Sequence, residues 1–209
     1  MRIIDISPVI EPGIAVWPGD TPFVRTVNLA LESGSNITLS EMRTTVHVGA
    51  HADAPNHYTR DGEDIASRRL DYYIGACDVF HVEDVQGRRI YPEDLAGKAI
   101  TAPRVLLRTG TFPDPSRWNE DFASLSPALV EHFYQHGVVL VGIDTPSVDP
   151  FHSKTLEAHQ AMARNDMAML EGLVLDGVPE GIYELIALPL RIRGADASPV
   201  RAVLRTIRM

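Results

Sequence analysis

Residues 46–58, with the sequence VHVGAHADAPNHY, restrict the fold of this chain more than any other stretch. Gly49 and Pro55 would interrupt a helix, so the segment is expected to be extended. Alternate residues of a strand share a face, which places His47, His51 and Asp53 on one side. The intervening valines and alanines then face the core. The small residues of the segment allow the close backbone approach that a crowded ion site requires.

A turn at Pro55 and Asn56 is predicted to end this alternation and to aim His57 at the space that the earlier polar groups face. Imidazole and carboxylate groups together suit Zn²⁺, and Mn²⁺ or iron less sharply. No cysteine accompanies them, which argues against a closed structural zinc site. The two oxygens of Asp53 allow it to bridge two ions.

Further ligands must come from distant parts of the chain, where His159 and Glu171 are the candidates. The pattern TLEAHQAMARN predicts a helix that begins after Thr155 and carries His159. Glu171 follows the end of that helix. Periodicity alone does not decide whether either residue is a metal ligand. It is equally compatible with a histidine on the polar face of the helix and with a solvated glutamate. The remaining histidines are interpreted as structural or surface residues.

Composition limits the functional classes. The 209 residues are 44% hydrophobic and 22% charged, which fits one domain spanning residues 1–209. The single cysteine, Cys77, excludes an internal disulfide framework and indicates a reducing compartment. The net charge is −9, without a basic patch, so no nucleic-acid partner is expected. No signal peptide or long apolar run is seen, and we predict a cytoplasmic protein without membrane contact.

The element pattern predicts an α/β or α+β domain with a central mixed sheet. Strands are predicted in RIIDIS, ITLSEMRTTVHVG, GACDVFHVEDV, RVLLRTG, GVVLVGID, YELIALPLRI and VRAVLRTI. A second helix is predicted in SPALVEHFYQHG, with a serine cap, and a short one in YPEDLAGK. The order is not a clean βαβ alternation, which disfavours a doubly wound parallel sheet.

Several segments resemble one known family. HVGAHADAPNH is similar to the His-x-Gly-Thr-His-x-Asp-x-Pro-x-His signature of the cyclase-like metal-dependent hydrolases, with Ala50 in place of the common threonine. The resemblance extends over nearly the whole chain and is to the bacterial kynurenine formamidases (arylformamidases). The further segments that carry it are DISPVIEPGIAVWPGDTPF, GIDTPSVDP, AHQAMARNDMAMLEGLVLDGVPEG and LPLRIRGADASPVRAVL.

The resemblance implies a swivelling β/α/β-type fold, a homodimer or larger assembly, and a binuclear zinc site in each subunit, with Mn²⁺ as an alternative. By position, His47, His51 and Asp53 match ligands of the first ion, and Asp53 also matches the bridge to the second. His159 matches a ligand of the second ion, and Glu171 matches a carboxylate shared by both. Alanine at position 50 removes no ligand, but it removes a hydroxyl group that could orient one.

The resemblance also implies a reaction. His57 matches the general acid/base, and Trp17 matches an aromatic residue that contacts the substrate. The implied activity is hydrolysis of N-formyl-L-kynurenine to L-kynurenine and formate in tryptophan degradation. The alternatives are another hydrolase of the same family, such as an isatin hydrolase, and a metal-binding module without catalysis. Arg43 or Arg191 could pair with the substrate carboxylate, and the sequence does not choose between them.

Overall fold

A nine-stranded mixed sheet organises the chain, which the computed structural model describes over residues 1–207. The strands are β1 (Ile3–Asp5), β2 (Val24–Leu29), β3 (Leu39–Arg43), β4 (His51–Asp53), β5 (Ile74–His81), β6 (Arg89–Ile90), β7 (Arg104–Arg108), β8 (Ser124–Leu125), β9 (Leu140–Ile143), β10 (Ala168–Glu171), β11 (Gly181–Ile186), β12 (Ala197–Pro199) and β13 (Val203–Thr206). The α-helices are α1 (Pro127–Gln135) and α2 (Glu157–Arg164). Short 3₁₀ helices span Leu31–Ser33, Pro55–His57, Leu70–Tyr72 and Pro92–Leu95.

The main sheet has the order β1-β13-β11-β5-β7-β9-β10-β4-β12. Its central strands β5, β7, β9 and β10 run parallel, and the flanking strands pair antiparallel. β1 pairs with β13, so the two ends of the described chain lie side by side in one sheet. The predicted α/β architecture with a central mixed sheet is confirmed.

The central strands are apolar on both faces because both faces are covered. Val105 and Leu107 of β7 pack into the core cluster that contains Phe133 of α1 and Met162 of α2. The side chain of Leu106, which points to the opposite face, belongs to a second cluster on the other side of the sheet. The continuous apolar run VLL of β7 therefore forms a strand that is buried on both faces rather than an amphipathic one.

The two α-helices follow the sequence prediction with one correction. Ser126 caps α1 by accepting a hydrogen bond from the Leu129 N–H. The predicted threonine cap of α2 is wrong, because Leu156 precedes this helix with a left-handed backbone, at φ 49°. The carboxylate of Asp149 instead accepts hydrogen bonds from the N–H groups of Ala158 and His159.

The histidine-rich segment is less regular than predicted. Only His51–Asp53 forms a strand, and Pro55–His57 forms a 3₁₀ helix where a turn was expected. β10 was not predicted, although it ends at Glu171 and pairs with β4. Within residues 1–207, no helix combines the length and apolar character needed to cross a membrane.

Candidate metal centre

The site lies where the central parallel strands end. Parallel strands bring their carboxyl ends to one edge of a sheet, and ligand sites of α/β proteins concentrate there. Glu171 is the last residue of β10, and the antiparallel pairing with β4 places His51 directly opposite it. Asp53 lies two residues further along β4, on the same face as His51.

Two glycines allow a second segment to reach this edge. A Cβ atom on Gly172 would lie 2.3 Å from the carbonyl oxygen of Gly49, closer than any side chain permits. Both glycines have positive φ, at +66° and +61°, which other residues rarely adopt. The turn that contains His47 therefore packs against the end of β10. The predicted close backbone approach is confirmed at Gly49.

His51 and His159 each use one ring nitrogen for a contact that fixes the direction of the other. Nδ1 of His51 donates to the Gly49 carbonyl oxygen at 2.9 Å. Nδ1 of His159 lies 2.8 Å from an oxygen of Asp149. In the neutral imidazole these acceptors hold the hydrogen on Nδ1, so each Nε2 can present its lone pair to a cation at the centre of the site.

The two inner nitrogens face two buried carboxylates. His51 Nε2 lies 3.4 Å from Asp53 Oδ1 and 3.3 Å from Glu171 Oε2. His159 Nε2 lies 3.5 Å from Asp53 Oδ2 and 3.6 Å from Glu171 Oε1. Each carboxylate therefore turns one oxygen toward His51 and the other toward His159.

His47 and His57 complete the cluster on its more accessible side. Oδ2 of Asp196 accepts hydrogen bonds from His47 Nε2 at 2.9 Å and from His57 Nδ1 at 3.3 Å. The opposite nitrogens then face Asp53, with His47 Nδ1 3.0 Å from Oδ1 and His57 Nε2 3.9 Å from Oδ2. Pairing of β12 with β4 positions Asp196, because Ala197 lies opposite Asp53.

This donor set fits a metal cation. His51 Nε2 and both oxygens of Asp53 are buried and have no hydrogen-bond partner among the described residues. Buried polar atoms normally have partners, and lone pairs that face one another repel unless a positive charge lies between them. Ligand atoms of His47, His51 and Asp53, and of Asp53, His57 and His159, lie within 4.8 Å of one another. Imidazole nitrogen and carboxylate oxygen suit Zn²⁺ or Mn²⁺.

The electrostatics of the cluster also favour a cation. Burial alone would lower the pKa of the His159 imidazole, but its hydrogen bond with Asp149 and the nearby carboxylate of Asp53 raise it to about 10. For His47, burial also lowers the pKa, but the carboxylates of Asp53, Asp196 and Glu171 together raise it to about 9. Burial would raise the pKa of Asp53, but the neighbouring imidazoles of His159 and His47 lower it well below its usual value. The negative carboxylates thus attract positive charge strongly enough to overcome the cost of burial.

The cluster opens into a cavity of about 690 Å³. His47 and His57 reach its wall with 17% and 34% of their side chains exposed. Trp17 also lines it and belongs to an aromatic group, 5.2 Å from Trp118 and 5.0 Å from Phe151 between ring centroids. All the site residues predicted from the sequence therefore surround one space or lie at its base.

Sequence reasoning missed several residues around this space. Asp149 and Asp196 lie in GIDTPSVDP and LPLRIRGADASPVRAVL, two segments that carried the family resemblance without an assigned role. Phe112 and Trp118 also line the cavity, and no sequence pattern marked them as site residues. Ala50 packs in the core, so its methyl group points away from the ligands. Neither Arg43 nor Arg191 belongs to the described cavity wall.

The fold and site define an α/β protein with a buried histidine–carboxylate cluster at the carboxyl edge of its sheet. Residues 4–150 match the family described as "Putative cyclase". The chain belongs to this cyclase family.

Named relatives cover nearly the whole chain. A kynurenine formamidase of Bordetella petrii (strain ATCC BAA-461 / DSM 12804 / CCUG 43448) is 45% identical over 207 residues, 99% of each chain. A solved structure described as a potential metal-dependent hydrolase with cyclase activity is 26% identical, with a TM-score of 0.84 over 97% of this chain and 96% of the other. Isatin hydrolase A of Labrenzia aggregata, at 21% identity, has a TM-score of 0.79 over 97% and 93% of the two chains. That last similarity concerns the fold alone.

We expect Asp149→Asn to weaken Zn²⁺ binding about 10- to 100-fold, because the carboxylate orients His159. The amide group would also leave buried donors at the start of α2 poorly paired, at a cost of roughly 1–3 kcal/mol in the free energy of unfolding. Competition with a chelating dye measures the affinity, and urea denaturation measures the stability.

Asp78→Asn is the matched control. Asp78 is also buried and accepts hydrogen bonds from the N–H groups of Thr101 and Ala102, but it does not line the cavity. This variant should lose stability and keep its Zn²⁺ affinity. Unchanged affinity in Asp149→Asn would contradict the role given to Asp149.

Proposed function

We propose that this protein is a metal-dependent arylformamidase that hydrolyses N-formyl-L-kynurenine to L-kynurenine and formate. The observation that carries the proposal is the set of imidazole nitrogens directed at two buried carboxylates beside an aromatic cavity. The 45% identity to the Bordetella petrii kynurenine formamidase supports this choice of substrate. The reaction would belong to tryptophan degradation.

Five residues would hold two Zn²⁺ ions in each subunit, with Mn²⁺ as the alternative metal. His47 and His51 face one oxygen of Asp53, and His159 faces the other. Glu171 divides its oxygens between His51 and His159 in the same way. Each carboxylate thus turns its two oxygens toward two different sets of imidazoles. This arrangement suits two ions better than one. Such ions supply Lewis-acid activation of water and of the formyl carbonyl group.

His57 would move the proton in this reaction. The hydrogen bond from its Nδ1 to Asp196 leaves Nε2 able to accept a proton at the edge of the cluster. Hydrolysis adds one water molecule across the C–N bond, so the water oxygen bonds to the formyl carbon. The proton taken up at Nε2 then passes to the departing aniline nitrogen. Asp196 holds the ring orientation that both transfers require.

Trp17 would bind the aryl ring of the substrate. The formyl group offers little surface to grip, so discrimination must come from the rest of the molecule. The indole ring is 36% exposed and lies on the cavity wall beside Trp118. Aromatic faces at this separation favour a further stacked or edge-on ring.

We also propose a homodimer, for which the β2–β3 hairpin supplies a surface. Every residue of both strands is exposed, and an isolated two-stranded hairpin is marginally stable in water. Its apolar side chains form a surface of the kind that marks protein interfaces. The exposed apolar residues of this hairpin are Val24, Val27, Leu29, Leu31, Ile37, Leu39 and Met42.

The remaining proposals concern organisation and location. We propose that residues 1–209 form one domain, supported by the pairing of β1 with β13; residues 208 and 209 lie outside the described range. A cytoplasmic location agrees with the single, buried cysteine. The small-molecule substrate would be the partner of the site, and neither nucleic acid nor a membrane is expected.

Isatin hydrolysis is the alternative activity, favoured by the shared fold. A parallel assay separates the two reactions, because isatin is a cyclic amide and N-formyl-L-kynurenine is an open formamide. We expect purified, metal-loaded protein to hydrolyse the formamide with the higher kcat/KM. Preferential turnover of isatin would contradict the proposed substrate, and no turnover of either would favour the metal-binding module.

Metal removal provides the second test of function. Dialysis against a chelator should abolish activity, and Zn²⁺ or Mn²⁺ should restore it. Asp53→Ala should lose most bound metal and nearly all activity, since one side chain serves both ions. Glu131→Ala, on the exposed side of α1, is the control, and elemental analysis is the measurement. Full metal content in Asp53→Ala would refute the ligand assignment.

His57→Ala should lower kcat by about 10²- to 10⁴-fold, the usual contribution of general acid–base catalysis. Its metal content should stay close to that of the parent protein, because the five proposed ligands remain. Steady-state kinetics and elemental analysis on the same samples give both values. His132→Ala on α1 controls for the loss of a histidine. Loss of both metals would make His57 a ligand, and undiminished activity would remove it from the mechanism.

Met42→Glu, combined with Leu39→Glu, should convert the dimer to monomers, because burying two carboxylates in an apolar interface is unfavourable. Both side chains are exposed within the subunit, at 69% and 49%, so the fold should survive. Sedimentation velocity measures the mass and circular dichroism the fold. A dimer that persists in the folded variant would place the interface elsewhere.

A further inference from the structure

An ion pair lies on the wall of the same cavity, outside the metal cluster. Nη2 of Arg108 is 3.1 Å from Oδ1 of Asp176, and both residues line the cavity. Among the described residues of that wall, Arg108 is the only arginine or lysine. The mechanism proposed above uses neither side chain.

The sheet sets the distance between this pair and the metal cluster. Arg108 ends β7 and Glu171 ends β10, with β9 between them. Leu106 and Leu170 both lie opposite Gly142, so the two strands end nearly level. Strands are about 4.8 Å apart, which puts these two ends roughly 10 Å from each other. The residues that follow Glu171 in the chain line the cavity wall as far as Asp176.

The substrate has charges at a comparable separation. N-formyl-L-kynurenine carries its formamide on one side of the aryl ketone and an α-amino acid group at the end of a short chain on the other. A formyl group at the metal cluster therefore directs a carboxylate and an ammonium group along the cavity. The α-carboxylate matches the planar guanidinium fork of Arg108, and the ammonium group matches the carboxylate of Asp176.

We propose that Arg108 and Asp176 bind the zwitterionic α-amino acid group of the substrate, and so select amino-acid formamides from other aryl formamides. This inference rests on the proposed function. The Asp176 side chain is 89% exposed and that of Arg108 29% exposed, and pairs in contact with water contribute little stability. Separating Arg108 from Asp176 to admit the two charged groups of the substrate therefore costs little free energy.

Four matched substrates test the assignment without depending on a variant that folds. They are N-formyl-L-kynurenine, its analogue without the carboxylate (N-formylkynuramine), its analogue without the ammonium group (4-(2-formamidophenyl)-4-oxobutanoate), and 2′-formamidopropiophenone, which has neither. We expect kcat/KM of the wild-type enzyme to fall about 10- to 100-fold when the carboxylate is removed and about 2- to 5-fold when the ammonium group is removed, mainly through KM.

Two variants connect each charge with its residue. In Arg108→Gln, the ratio of kcat/KM with and without the substrate carboxylate should fall about 10- to 100-fold. In Asp176→Asn, the ratio of kcat/KM for the substrates with and without the ammonium group should fall. Arg69→Gln is the control, because Arg69 pairs with Asp71 at the surface and does not line the cavity.

The outcomes separate this inference from the proposed function. If wild-type enzyme hydrolyses all four substrates equally well, or if Arg108→Gln leaves the carboxylate ratio unchanged, the assignment is overturned and formamidase activity stands. If metal-loaded wild-type enzyme hydrolyses none of them, the proposed function falls and the inference falls with it.

Discussion

Asp53 and Glu171 place two carboxylates below the surface, and the nearby imidazoles, when neutral, direct lone pairs at them. An arrangement of acceptors facing acceptors is unfavourable in a buried site unless positive charge lies among them. The rest of the site maintains this arrangement. The outer nitrogens of His51 and His159 are held by a backbone carbonyl and by Asp149, so each ring keeps its Nε2 directed at the carboxylates.

The same contacts connect the site to the stability of the fold. Asp149 caps α2 and orients His159, while Arg89 pairs with it from the neighbouring segment. One buried carboxylate thus serves a helix terminus, an ion pair and a proposed metal ligand. On the other side, β12 pairs with β4 and positions Asp196. Strands and α2 therefore carry four of the five proposed ligands, as a site that must hold a fixed geometry requires.

The cavity favours one orientation of the proposed substrate. The histidine–carboxylate cluster is at the end of β10, the Arg108–Asp176 pair is near the end of β7, and aromatic side chains line the wall. A substrate with a formyl group, an aryl ring and an amino-acid group can satisfy all three regions in one orientation. Specificity for such a molecule would then depend on the separation of two strand ends, a distance that the intervening strand β9 holds constant.

The sequence by itself determined the residue types of the site and much of the sheet. Spacing in residues 46–58 placed His51 and Asp53 on one face, because strand alternation is a local property. The positions of His159 and Glu171 relative to them depended on the pairing of β10 with β4. The proposed roles of Asp149, Asp196 and Arg108 also depended on contacts between residues distant in the chain. Such contacts produce no repeating pattern of residues in the sequence, because strand order and register are decided by the packing of the whole sheet.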